Sequence, residues 1–221
     1  MKWLSNGYKW ALGLVTCTLL TANAGAETIS IYTTNGTDGV SGLIQGDNNA
    51  YFPTSTVQTK NTGTPVDQYD RKGYIRMDVS SVNFDIKTAY LDLVVSMISN
   101  NGSAPYNTYP QTIEIYGLTD ETLDNWDSST ITWNNAPGND ASSPDGVDAA
   151  KTTLLGTVRV ADTVIGKVKR LGGVALADFL NADTNGKATF ILCREGDYNS
   201  RFDLNFAADT DVSYAPPKLT I

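Results

Sequence analysis

Four cations stand close together in an otherwise acidic chain: Lys60, Arg71, Lys72 and Arg76. In Tyr74-Ile-Arg-Met-Asp-Val79 strict alternation puts Tyr74 and Arg76 on one face and Ile75, Met77 and Val79 on the other. A guanidinium clamps a carboxylate through two parallel hydrogen bonds, and a neighbouring aromatic ring can stack on the C–H face of a sugar. Lys60, Arg71 and Arg76, with Tyr74 and Tyr69, are therefore candidate contacts for a polysaccharide that carries carboxylates. The same cations could instead pair with Asp67, Asp70 and Asp78 on a solvated surface, where such pairs are weak.

Other chemistry is mostly closed off. The chain has no histidine, which excludes Ser-His-Asp and Cys-His machinery and any imidazole metal site. Its two cysteines are Cys17 and Cys193, too few for a thiolate zinc site. A carboxylate pair is the remaining hydrolytic design, for example Glu114 with Asp203, but no spacing singles one out. No cofactor is expected. Asp120, Asp124 and Asp127, or Asp38 and Asp47, could join backbone carbonyls around a structural calcium, though no EF-hand spacing is present. The bland reading of these acids is turn capping. Trp126 and Trp133 could stack sugars, but in a β-sandwich large aromatics more often fill the core or pin a loop. Tyr51, Phe52, Tyr69, Tyr106, Tyr109, Tyr198 and Tyr214 sit in turn-rich segments, where some could line a glycan surface.

The elements that must position these residues are strands. Ala89, Leu91, Leu93 and Val95 share one face, as do Ile113 and Ile115, and Phe202, Leu204 and Phe206. Ala188-Thr-Phe-Ile-Leu-Cys193 is apolar throughout, as a central strand covered on both faces should be. Further strands are expected at 28–33, 55–60, 152–160, 164–169 and 217–221. Asn-Gly and Asp-Gly pairs at 35–36, 38–39, 101–102, 145–146 and 185–186, and Pro137-Gly138, mark turns between them. One short helix is expected near 173–181. The pattern predicts an all-β fold, an antiparallel two-sheet β-sandwich of jelly-roll type. The long polar loop 134–150 reads as an insertion over one end of it.

The first 26 residues read as a secretory signal peptide. Lys2 and Lys9 precede the apolar run 11–20, and Ala22-Asn-Ala-Gly-Ala26 supplies the cleavage site. The run is too short for a transmembrane helix, which needs about 20 apolar residues. A secreted domain of 195 residues, 27–221, follows. Losing Lys2 and Lys9 takes the formal net charge from −8 to −10, which disfavours nucleic acid as a partner. Cys17 leaves too, so no disulfide forms within the mature chain. Oligomeric state is not legible.

The order of these pieces carries a resemblance. Lys60, Arg71-x-x-Tyr-Ile-Arg-Met-Asp-Val-Ser80, Ala89-x-Leu-x-Leu93, Ile113-x-Ile-Tyr-Gly117, Trp126, Ile131-Thr-Trp-Asn-Asn-Ala-Pro137 and Leu155-Gly-Thr-Val158 together resemble the DNRLRE domain. That domain is also known as carbohydrate-binding module family 96, and is related to disaggregatase-type repeats. The resemblance implies a jelly-roll sandwich with a non-catalytic role, often alongside polysaccharide lyases, and alginate as the polyuronate bound. It implies that Lys60, Arg71 and Arg76 are basic contacts, with Tyr74 as the aromatic of the same strand. The C-terminal end departs from the family pattern: Asn205–Ser213 stands where a Ser-Arg-Glu-like segment is usual before the last strand. Two other classes remain open on the residues alone: a cell-surface or matrix protein acting through protein contacts, and a polysaccharide lyase or hydrolase.

Overall fold

The computed structural model describes residues 28–33, 40–47, 55–63, 65–100, 111–160, 165–196 and 202–221. The expected signal peptide lies outside the described residues, as do Asp38, Tyr51, Phe52, Tyr106, Tyr109, Tyr198 and the Asn-Gly and Asp-Gly turns at 35–36, 38–39 and 101–102. The strands among them are β1 (Ser30–Tyr32), β2 (Val40–Gln45), β3 (Thr56–Thr59), β4 (Arg71–Asp78), β5 (Tyr90–Asn100), β6 (Gln111–Leu118), β7 (Thr152–Val160), β8 (Val168–Gly172), β9 (Lys187–Arg194), β10 (Phe202–Ala207) and β11 (Lys218–Thr220). One α-helix, α1 (Val174–Asn181), stands where the sequence placed it.

Two antiparallel sheets face each other. One runs β2-β4-β9-β6-β7; the other runs β1-β11-β5-β10-β3, with β8 also paired to β5. Among the described strands, only the β6–β7 and β10–β11 connections join strands of one sheet. Every other connection crosses between sheets, which is the path expected of a jelly roll. The alternation read from the sequence builds the core. Ile75, Met77, Ile113, Phe190 and Leu192 from the first sheet meet Leu91, Leu93, Leu204, Phe206 and Leu219 from the second. β9 is covered on both faces, with Phe190 and Leu192 in the core between the sheets and Ile191 and Cys193 in a second apolar cluster on the other side, which is why its run is apolar throughout.

Three expectations change. β2 was not foreseen, because Val40-Ser-Gly-Leu-Ile-Gln45 is short and carries a glycine in mid-run. β8 begins at Val168, later than expected, because Ile165 and Gly166 form a turn with Gly166 at φ +79°. The polar stretch after β6 does not cap one end of the sandwich. It covers the outer face of the five-stranded sheet, giving a second apolar cluster of Ile44, Tyr74, Trp126, Trp133, Ile191 and Cys193. Gly138 lets it approach: at φ +69° it sits where a Cβ would lie 3.1 Å from Ile191 Cδ1.

Candidate functional site: a cationic corner beside a covered sheet face

Tyr74 and Arg76 point away from the core, as alternation required, but the face they occupy is not open. Tyr74 is fully buried and its hydroxyl donates to Pro137 O at 3.0 Å. Its ring meets Trp126 edge-on, with centroids 6.0 Å apart. Burial pushes the Tyr74 phenol well above its ordinary pKa. Arg76 is 4% exposed; its Nη1 donates to Asp124 O and Trp126 O, and the guanidinium lies 4.8 Å from the centre of the Trp126 ring. The assignment of Tyr74 and Arg76 as sugar contacts is therefore corrected. Both residues clamp the covering segment 119–151 to the sheet.

Lys72 does the same one turn of the pleat away. Its Nζ donates to Asn139 Oδ1 at 2.7 Å and to the carbonyls of Ser143 at 2.9 Å, Asp140 at 3.2 Å and Gly146 at 2.5 Å. It also stands 4.5 Å from the centre of the Trp133 ring. Burial lowers its pKa, while Cys193, Asp140, Asp145 and Asp70 pull in the opposite direction. The tryptophans pack as the sequence suggested: Trp126 Nε1 donates to Thr189 Oγ1 at 3.0 Å and Trp133 Nε1 to Ala141 O at 2.9 Å. Cys193 lies under the same cover, its thiol pushed by burial up to about 12.

Lys60, Arg71 and Tyr69 are brought together. Lys60 and Arg71 exchange backbone hydrogen bonds of 3.0 and 2.9 Å where β3 runs into β4, the seam between the two sheets. Arg71 shares the inward parity of Ile75, but it is the end of that row, so its side chain reaches the mouth of the sandwich. There Arg71 Nη1 and Lys60 Nζ converge on one carboxylate, Asp203 Oδ1, at 3.1 and 3.0 Å. Tyr69 is half exposed, and Lys60 Nζ lies 5.4 Å from its ring centre. Asp67 and Asp70 are not the partners of these cations: Asp67 accepts from Tyr69 N, and Asp70 accepts from Thr62 N, Thr62 Oγ1 and Asp67 N. The sequence carries no signal for this role of Asp203, which lies more than 130 residues from both cations. Two cations thus share one carboxylate, Asp203, with the carboxylates of Asp67 and Asp70 engaged in the adjoining loop.

Other candidates disperse. Glu114 lies on β6, where it accepts from the Tyr116 hydroxyl at 2.8 Å; Asp203 lies on β10 of the opposite sheet, so the two do not form an acid–base pair. Asp120 and Asp127 accept from the backbone and hydroxyl groups of Thr122 and Ser129 and so close turns. Asp124 is buried against Thr189 and Asn185; burial outweighs these hydrogen bonds and pushes its carboxyl to about 6. No group of three or more His, Cys, Asp or Glu among the described residues is placed to hold a metal. A cleft of about 610 Å³ runs along the cover, walled by Asn125, Trp126, Asn135 and Lys151 among others. Its amides are engaged within the fold: Asn135 closes the turn through Thr130 O and Thr132 N, and Asn125 Oδ1 accepts from Lys187 Nζ. No helix among the described residues is long and apolar enough to cross a membrane.

The fold is a two-sheet antiparallel β-sandwich, a framework that carries many unrelated functions. The sequence profile of carbohydrate-binding module family 96 matches residues 40–200. The chain belongs to that family. A search among curated proteins returns no match.

Proposed function

We infer that this is a secreted, non-catalytic carbohydrate-binding protein whose ligand is an acidic polysaccharide such as alginate. Membership of a carbohydrate-binding family supports the first part of that reading. The observation that carries the second is the corner: on a chain of net charge −8, Lys60 and Arg71 share a single carboxylate beside the half-exposed ring of Tyr69. A uronate carboxylate can compete with Asp203 for the Arg71 fork while the sugar ring lies against Tyr69. The contact is charge-assisted and, although Lys60 is buried, Arg71 and Asp203 are partly open to solvent, so salt should weaken it.

Affinity electrophoresis of the secreted chain through gels containing alginate tests this. Wild type should be retarded, Arg71→Ala and Tyr69→Ala should each reduce the retardation several-fold, and added salt should reduce it further. Absence of retardation by alginate overturns the reading; retardation unchanged in Arg71→Ala removes the corner as its site.

A further inference from the structure

The outer face of the six-stranded sheet carries a second aromatic and cationic row. Register places Tyr32, Lys218, Asp92 and Arg170 side by side across β1, β11, β5 and β8. At about 4.8 Å per strand the row spans roughly 14 Å. Tyr90, opposite Gly172, flanks it. Both tyrosines are open to solvent, Tyr32 at 43% and Tyr90 at 40%. Each is held by a cation: Lys218 Nζ stands 5.7 Å from the Tyr32 ring centre, and the Arg170 guanidinium 5.0 Å from that of Tyr90.

Three details make this surface more than a set of cross-strand pairs. The Tyr90 ring lies down across Gly172, where a Cβ would come within 2.6 Å of Tyr90 Cδ1; the glycine lets the ring lie over the neighbouring strand instead of standing off the sheet. Asp92 receives Arg170 through both Nε and Nη2, at 2.6 and 2.8 Å, which fixes the guanidinium and cancels its charge. Lys218 is then the net charge of the row, set between two tyrosines. Rings whose orientation is already held lose little rotamer freedom when a ligand stacks on them.

We propose that this row is a second contact surface for the same acidic polysaccharide, with Tyr32 and Tyr90 stacking on sugar rings and Lys218 meeting a carboxylate between them. The proposal rests on the acidic-glycan reading above. Lys218 pairs with Asp92 on β5, and Asp203 of the corner pairs with Ser99, seven residues further along the same strand. That separates the two clusters by about 23 Å. Leu204 enters the core, so Asp203 points outward, on the side of the sheet that carries the row. One polymer chain can therefore engage both clusters, and the second contact forms at the high effective concentration set by the first.

The test is retardation of the full secreted chain in alginate gels, comparing Tyr32→Ala, Lys218→Glu and Arg71→Ala, with melting temperatures to confirm that each folds. Tyr90 is left intact because its removal opens the space over Gly172. Tyr32→Ala and Lys218→Glu should each weaken binding at least threefold, and combining either with Arg71→Ala should lose more than either alone. If both row variants bind as wild type while Arg71→Ala binds weakly, the row is overturned and the corner stands. If the row variants bind weakly while Arg71→Ala binds as wild type, the row stands and the corner falls. A wild type that alginate does not retard overturns both.

Discussion

Lys72→Met is the substitution that most directly measures how the cover is held. Methionine keeps the length of the side chain and removes only the ammonium. Four oxygens, those of Asn139 Oδ1 and the carbonyls of Asp140, Ser143 and Gly146, then lose their donor beneath a sealed segment. A buried acceptor left without a partner costs about 1–3 kcal/mol. The four share one donor and can relax together, so the costs do not add in full; removing Lys72 should cost about 3–5 kcal/mol, as for breaking a buried charged contact. For a domain of this size each kcal/mol moves Tm by about 2–4 °C, so Tm should fall by roughly 6–20 °C. Urea unfolding followed by tryptophan fluorescence reads both the loss and the environment of Trp133, whose ring lies under the ammonium. Asn139→Ala should cost less in the Lys72→Met background than in wild type, because the bond it breaks is already gone. A loss below about 1 kcal/mol would mean that water reaches these carbonyls, and the account of a dry, clamped cover would be refuted.

Three further outcomes follow from the same geometry. Tyr74→Phe removes the bond to Pro137 O and should cost about 1 kcal/mol in chemical unfolding while leaving alginate retardation unchanged; weakened binding with the fold intact would restore Tyr74 as a ligand contact. Asp124 has its folded pKa raised to about 6, so the stability it contributes is complete below pH 4 and is lost as pH rises through 6. Asp124→Asn should therefore stabilise by about 1–2 kcal/mol near pH 8, allowing for solvent screening, and by nothing near pH 4; equal effects at both pH values would exclude titration of this group as the cause. Cys193, buried with its thiol raised to about 12, should react with a thiol reagent only as fast as the domain unfolds; rapid labelling of the native protein would show that the cover opens.

What was legible in the sequence had a local cause. Strand alternation at Ile75, Met77 and Val79, at Ile113 and Ile115, and at Leu204 and Phe206 named the core because one side of each strand meets the other sheet. The apolar run 188–193 announced a covered strand and β9 is one. Alternation separates the two faces of a strand but says nothing about whether the second face is wet. Alternation puts Tyr74 and Arg76 opposite the core, where they look open, whereas both tips are satisfied by carbonyls of the cover, 48 to 63 residues downstream. Asp203 meets Lys60 and Arg71 only because β10 pairs with β3 and the two sheets share a seam. No local pattern encodes that meeting. The row from Tyr32 to Arg170 is likewise a product of register between strands far apart in the chain.

The covered face nonetheless left a mark in the sequence. β4 sends two cations outward, Lys72 and Arg76, and the covering segment carries two tryptophans. They match one to one: Lys72 over Trp133 at 4.5 Å and Arg76 over Trp126 at 4.8 Å. A cation with an alkyl stem suits this position, since the stem packs on apolar surface while the tip reaches the carbonyls of the loop above. Trp133 fits for a related reason, being broad enough to seal the loop and able to satisfy its own N–H on Ala141 O. The Asn-Asn-Ala-Pro stop then turns the chain, with Asn135 accepting from Thr132 N and Pro137 presenting its carbonyl to Tyr74. The Arg71–Ser80 and Thr130–Pro137 motifs are thus two halves of one clamp, and each requires the other. A substitution in either half should therefore be read first through stability. Binding is better sought at Lys60, Arg71 and Tyr69, at the mouth of the sandwich where the clamp ends.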